Sequence, residues 1–191
     1  MTKVNKKTKR VFEMFARKVI RDSINNLSRQ DHIDTGKLAS ALAYDLFVYR
    51  SGALELKFTM PLYGMFQDKG VKGSKSGRRA YKSPYRFTGK NIKPGVVEAW
   101  LKRKGIQGRV DKNWESAGNR GGQFITRKSL AFIIGRKIAL FGLPATRFFS
   151  NAFRLHFRQM PREVIRSYAT DVADFLRFTT KDIMTDGGTI S

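Results

Sequence analysis

Leu42-Ala43-Tyr44-Asp45-Leu46-Phe47-Val48-Tyr49-Arg50-Ser51-Gly52-Ala53-Leu54-Glu55-Leu56-Lys57-Phe58-Thr59 reads as two alternating runs joined by a turn. Leu42, Tyr44, Leu46 and Val48 share one face of the first run. In the second, Leu54, Leu56 and Phe58 alternate with Glu55, Lys57 and Thr59. Successive side chains of a strand point to opposite faces, so a period of two marks a half-buried strand. Arg50-Ser51-Gly52 supplies the turn, and two such runs with a short glycine-containing link make an antiparallel hairpin.

The flanks have a different period. Val11, Phe12, Phe15, Val19, Ile20, Ile24 and Leu27 recur at three- and four-residue steps, which predicts a core-facing helix from about Lys6 to Arg29. A polar turn, Asp31-His32-Ile33-Asp34-Thr35-Gly36-Lys37-Leu38, separates it from the hairpin. Asp34 and Thr35 can accept orphan helix N–H groups there, and Gly36 tolerates the backbone angles of a turn. After the hairpin, Met60 to Asp68 predicts a short helix with Pro61 in its first turn. Pro94 opens another, through about Lys104, with Val96, Val97, Trp100 and Leu101 as its apolar face and Gly105 as its stop. Thr126 caps a helix from Arg127 to Phe141, whose expected buried stripe is Leu130, Ile133, Ile134, Ile138 and Phe141 and which Gly142 and Pro144 end. Helices from Ala145 to Phe157 and from Pro161 onward complete the chain, the last carrying Val164, Ile165, Tyr168, Val172, Phe175 and Leu176. The fold class is α+β: a small antiparallel β-sheet packed by a long N-terminal helix and C-terminal helices, with two long Gly-rich basic loops. The expected organisation is a single domain over 1–179, loop arms at about 70–93 and 107–125, and a flexible tail over 180–191.

The charge is the second strong signal. The 191 residues hold 38 Lys/Arg against 15 Asp/Glu, a formal net charge of +23. Such an excess implies an anionic partner, whether nucleic acid, acidic protein or an anionic membrane surface. It is sharpest from Lys69 to Lys90, where Lys69, Lys72, Lys75, Arg78, Arg79, Lys82, Arg86 and Lys90 occur without one acidic residue. Tyr81, Tyr85 and Phe87 are interleaved with them. The segment has little to bury and repels itself, so it reads as a long loop projecting from a compact body until something acidic screens it. Two readings stand side by side. The cations can neutralise phosphates while the aromatics stack, or the loop can order against an acidic neighbouring subunit. Trp114 in the second loop is either an interface aromatic, as Tyr81, Tyr85 and Phe87 are candidates to be, or buried beneath its own loop.

Catalytic chemistry finds little footing. With no cysteine there is neither a disulfide nor a thiolate metal site. His32 and His156 are far apart, without metal-ligand spacing. Asp31 and Asp34 suit capping better than acid–base work, and the remaining acids are scattered where a nuclease needs them clustered. Gly70 to Gly77 superficially resembles a phosphate-binding loop but lacks Gly directly before Lys and a helix directly after. No apolar run follows Met1 to Lys7 as a secretory signal would require. The most apolar stretch, Leu130 to Leu143, is broken by Gly135-Arg136-Lys137 and falls short of the ~20 residues of a membrane span. No cofactor and no metal are expected.

The order of several short motifs carries a resemblance. A basic N-terminal helix precedes Asp34-Thr35-Gly36-Lys37-Leu38 and a strand pair. Tyr63 follows, with Asp68 and Gly70 downstream, and then Gly142-Leu143-Pro144-Ala145-Thr146-Arg147-Phe148-Phe149 before a terminal helix. This is similar to the head–tail connector and tail-completion (neck) proteins of tailed bacteriophages, with their D-T-G-x-L turn, Y…E-x-G segment and Pro-Phe-type motif. Asp68 stands where that pattern has Glu, and the loops from Val71 to Lys93 and Gln107 to Gln123 exceed a minimal member. The resemblance implies a structural virion protein, non-enzymatic, forming a homo-oligomeric ring at the head–tail junction through which DNA passes. It implies other neck, portal or tail proteins as partners, assembly in the bacterial host cytoplasm, only non-specific DNA contact and no membrane. The alternative from charge alone is a stand-alone basic nucleic-acid-binding protein.

Overall fold

The structure, a computed structural model, describes residues 6–30, 34–76, 78–89, 92–110 and 121–186. In chain order its elements are α1 (Lys6–Arg29), α2 (Lys37–Ser40), β1 (Ala43–Val48), β2 (Leu54–Thr59), α3 (Leu62–Lys69), β3 (Val71–Lys72), a 3-10 turn (Arg78–Ala80), α4 (Pro94–Arg103), α5 (Arg127–Phe141), β4 (Gly142–Leu143), α6 (Phe148–Phe157) and α7 (Met160–Asp186). The fold is α+β and mostly helical, with two small antiparallel sheets, β1–β2 and β3–β4. Two compact units share the chain. Residues 1–29, 39–60 and 148–191 form one, and residues 30–38 and 61–147 the other.

The first unit is built around α1. Val11, Phe15, Ala16, Val19 and Leu27 are buried along it, at the spacing the sequence implied. The hairpin is in the register that its alternation requires: Tyr44 pairs with Phe58, Leu46 with Leu56 and Val48 with Leu54. Phe58 thereby reaches the rings of Phe15, Phe149 and Phe153, with centroids 5.4–6.1 Å apart and near-perpendicular planes. Edge-to-face contacts of this kind add about 0.5–1.5 kcal/mol per pair beyond the area they bury.

The start of α1 is capped from the other end of the sequence. Its first turn holds no acidic residue. The carboxylate of Asp171 on α7 instead accepts the Lys7 and Thr8 N–H groups, at 3.2 and 2.9 Å, and the Thr8 hydroxyl at 2.9 Å. Asp171 and Thr8 are both buried, so the carboxylate satisfies orphan donors that water cannot reach and opposes the positive end of the helix dipole. Asp171→Ala is expected to lower the unfolding free energy by about 2 kcal/mol, the cost of a lost cap plus unpaired buried donors. Asp171→Asn, which keeps one carbonyl acceptor, should recover part of it. Equal urea midpoints for wild type and alanine variant would remove the cap from the stability account.

Three details depart from the sequence reading. Residues 144–147 are not helical, and α6 begins only at Phe148. The Thr146 and Arg147 N–H groups are held by the Gln67 and Asp68 carbonyls, each at 3.0 Å, and Arg147 takes a positive φ of 53°. On α5 the buried line is Ala131, Gly135 and Ala139, while Ile133 and Phe141 are exposed. Ala131 packs against Val97 and Leu101 of α4, with Leu130, Ile134 and Trp100 at the flanks, while the Ala139 carbonyl takes the Ser74 bonds. Val96, expected on the apolar face of α4, is exposed. Finally, α7 runs to Asp186, past the residue at which a tail was expected to start, and leaves Ile165, Tyr168 and Leu176 exposed.

Three carboxyls are held below the usual carboxylate range. At Asp22 burial pushes upward, but the bonds from His156 Nε2 (2.7 Å) and Arg21 outweigh it. The Arg103 hydrogen bond lowers Asp34, and that of Lys7 lowers Asp174. A depressed carboxyl contributes stability above its unfolded pKa of about 4 and loses it as pH falls through the lower folded value. The thermal midpoint should therefore hold from neutrality to about pH 4 and drop below it. Asp22→Asn should make that drop shallower, and an unchanged acid limb would contradict the assignment.

Candidate functional site: the basic segment and its aromatic groove

The segment from Lys69 onward does not project. Its backbone is threaded against the C-terminal end of α5. The N–H groups of Ser74, Lys75 and Ser76 donate to the carbonyls of Ala139 and Leu140 at 2.9–3.1 Å, and the Ser74 hydroxyl adds a bond to Ala139. These are the last-turn carbonyls a helix cannot satisfy internally. The physical reason for the departure lies in two glycines. A Cβ on Gly73 would stand 2.1 Å from the Leu140 oxygen, and one on Gly70 2.7 Å from the Ala145 nitrogen. Only glycine lets the main chain approach this closely. Self-repulsion acts at the tips of the cationic side chains, which remain outside, and does not prevent the backbone from packing.

Further along, Ser83 is buried; its hydroxyl donates to the Gly70 carbonyl at 2.6 Å and accepts from the Tyr85 N–H at 3.1 Å. This clamp lays Tyr85–Phe87 beside β3, where the Lys72 N–H donates to the Tyr85 carbonyl and the Phe87 N–H to the Lys72 carbonyl, both at 2.8 Å. Arg86 thus forms a parallel bridge to Lys72. On its other side β3 pairs with β4, Val71 opposite Leu143 and Lys72 opposite Gly142. The result is a three-stranded patch in which Val71, Leu143, Tyr85 and Phe87 line an open groove of about 700 Å³ with Tyr63 and Phe66 of α3 and with Pro144. Phe66 and Tyr85 fix one another edge to face, centroids 4.8 Å apart. Periodicity did not reveal this groove, because its strands are two residues long; Pro84 and the closely spaced glycines were the local signs of extended, tightly packed backbone.

The cations divide as follows. Lys69, Lys75, Arg78, Arg79, Lys82 and Arg86 are exposed, and Lys72 is half-buried. Lys69 Nζ lies 3.8 Å from the buried Asp68 carboxylate. Tyr81 is exposed, with Lys82 Nζ 5.5 Å from its ring centre. Tyr85 and Phe87 are half-buried as groove walls. Lys90 and Trp114 lie outside the described residues, as do Asp31 and His32. Asp34, expected to cap a helical turn, instead gives its carboxylate to the Arg103 guanidinium, with Nε 3.1 Å from Oδ2, while Thr35 is exposed and Gly36 takes a φ of +74°. The base of the second loop is a short antiparallel ladder that the sequence reading missed: Val110 donates to Gln123, Gly122 to Val110 and Ile125 to Gly108. Arg109 stacks on Phe124 there, 4.1 Å from its centroid.

Two of the short motifs singled out in the sequence interlock. Tyr63 to Gly70 and Leu143 to Arg147 are joined by the Gln67–Thr146 and Asp68–Arg147 bonds, by the Thr146 hydroxyl on the Gln67 carbonyl (2.9 Å), and by the close pass of Gly70 against Leu143 and Ala145. They form one wall of the groove. Charge is concentrated in the same unit, which holds 21 of the 38 Lys/Arg and 6 of the 15 Asp/Glu. Among the described residues no three His, Asp or Glu side chains gather as a metal site would need, and no helix is long and apolar enough to cross a membrane. Comparison with protein-family models, curated proteins and solved structures finds no match to this chain.

Proposed function

We propose that this chain is a structural subunit of a tailed-phage virion, assembling into a ring at the head–tail junction through which DNA passes. It works by shape and contact, without catalysis or cofactor. The observation that carries the reading is the interlock just described. The Tyr63–Gly70 and Leu143–Arg147 segments, which carry much of the resemblance to connector and tail-completion proteins, meet at one groove beside the basic segment. Residues that would otherwise be separate short matches have a common physical job. Exposed Leu62, Tyr63, Tyr81 and Val96 in the same unit offer apolar surface of the kind that neighbouring subunits cover.

The test is the mass distribution of the purified protein at low and moderate salt, with and without duplex DNA. Discrete ring-sized species, or a monomer indifferent to DNA at moderate salt, are expected. The concentrated charge favours a second reading, stand-alone nucleic-acid binding. That reading requires a monomer whose log affinity for duplex DNA falls by about 0.9 per log salt for each phosphate contacted. Replacing Lys72, Lys75, Arg78, Arg79, Lys82 and Arg86 together by alanine should block assembly or DNA retention and leave the melting temperature unlowered. No buried side chain is removed, and a cluster of like charges is relieved. Loss of the fold in that variant would refute the assignment of these residues to contact rather than structure.

A further inference from the structure

We infer that the groove takes an extended polypeptide segment in which carboxylate residues alternate with large apolar ones, added as a fourth strand beside Tyr85–Phe87. The inference rests on the proposed function only for the source of that segment, a neighbouring structural protein.

The argument starts from the backbone. Lys72 bonds the Tyr85 carbonyl and the Phe87 N–H, a parallel pattern that turns the N–H and C=O of Arg86 to the opposite edge. Neither group has a partner among the described residues. An open edge of this kind is a template for one more strand, with main-chain bonds giving affinity and alternate side chains giving specificity.

The pleat then dictates the sequence of the guest. Side chains alternate across the patch, so Val71, Tyr85 and Phe87 share one face and Lys72 and Arg86 the other. A strand laid on the Arg86 edge must put every second side chain over the apolar groove and the others on the face of Arg86, with Lys72 one strand further in. The groove, about 700 Å³, has the size of an ordinary ligand site and accommodates a few large side chains. Apart from Arg86, whose side chain the pleat turns to the other face, no charged residue lines it. That disfavours single-stranded nucleic acid, which needs a row of cations tracking the phosphates in addition to stacking rings. Lys82 and Arg79, nearby in sequence and exposed, extend the positive field that steers an acidic segment.

The experiment uses the full chain and a short, capped, fluorescent peptide of alternating Glu and Leu with one Phe at a Leu position. Saturable binding is expected, weakened at least about tenfold by Tyr63→Ala and by Arg86→Glu, as for anchor positions in other interfaces. A version with Lys in place of Glu should not bind. A version N-methylated at the amides that face Arg86 should also fail, although its side chains are unchanged and no variant protein is needed. Absence of binding, equal binding by the substituted proteins, or indifference to N-methylation would each overturn the inference. So would oligothymidylate that displaces the peptide and is itself weakened by Tyr63→Ala, since nucleic acid would then be the occupant. Rings that never form, with peptide binding intact, would refute the virion reading and leave this one standing.

Discussion

Gly142→Ala is expected to destabilise the second unit by at least about 3 kcal/mol, because it adds strain at a positive φ to a clash with immovable atoms. Gly142 ends α5 and begins β4 at a φ of +83°. A Cβ there would stand 2.2 Å from the Val71 oxygen, 2.6 Å from the Gly73 nitrogen and 3.0 Å from the Lys72 carbonyl carbon. All three are backbone, so no rotamer change relieves the contact. The chain must give up either the α5 terminus or the β3–β4 pairing, and the groove lies on the latter. Two comparisons isolate the terms. Gly36 has a similar φ of +74° with open space around it, so Gly36→Ala carries the conformational cost alone, about 1–2 kcal/mol. Gly95, within α4 and also in open space, should tolerate alanine with a gain of up to about 1 kcal/mol. Trp100 packs against the Val97, Leu101 and Ala131 core of the second unit, so the denaturant midpoint of its fluorescence reports that unit directly. A Gly142→Ala protein that melts with Gly36→Ala would mean that the backbone contacts at β3–β4 relax without cost. Peptide binding at the groove should fall with the same variant, since the strand that carries Leu143 is displaced.

The second large effect concerns the first unit. Phe148→Ala should lower stability by about 3–5 kcal/mol, the usual range for emptying a fully buried aromatic site. Phe148 has no exposed surface and is the largest of the fully buried side chains. Its carbonyl also accepts the Asn26 side-chain amide at 2.9 Å, tying the first turn of α6 to α1. The hydrogen bond survives the substitution, because it uses the main chain, so the loss measures packing. Leu155→Ala on the same helix removes a side chain that is 60% exposed and should change stability by no more than about 0.5 kcal/mol. Far-UV circular dichroism against urea distinguishes the two. A Phe148→Ala midpoint indistinguishable from that of Leu155→Ala would remove the packing of Phe148 from the stability account of the first unit.

Sequence alone determined the elements wherever the signal was local. The hairpin register follows from which residues alternate, since a slip of one position would turn Leu46 and Phe58 away from the core. The limits of α5 are readable because both ends announce themselves chemically: the Thr126 hydroxyl accepts the Ser129 N–H at 3.2 Å, and Gly142 takes the backbone angle that stops the helix. The face of α1 is legible for the same reason. Tertiary structure alone decided what depends on distant partners. The buried line of α5 is its small residues, met by α4 at Ala131 and by the basic segment at Ala139, and nothing in α5's own period distinguishes that line from the bulkier stripe beside it. The cap of α1 comes from Asp171, more than 160 residues away. The basic segment packs because Gly70 and Gly73 meet Leu140, Leu143 and Ala145, whereas charge and composition, read locally, describe only side chains that repel. The groove has the same origin: strands two residues long carry no period, and they exist only because the chain returns to them from both sides.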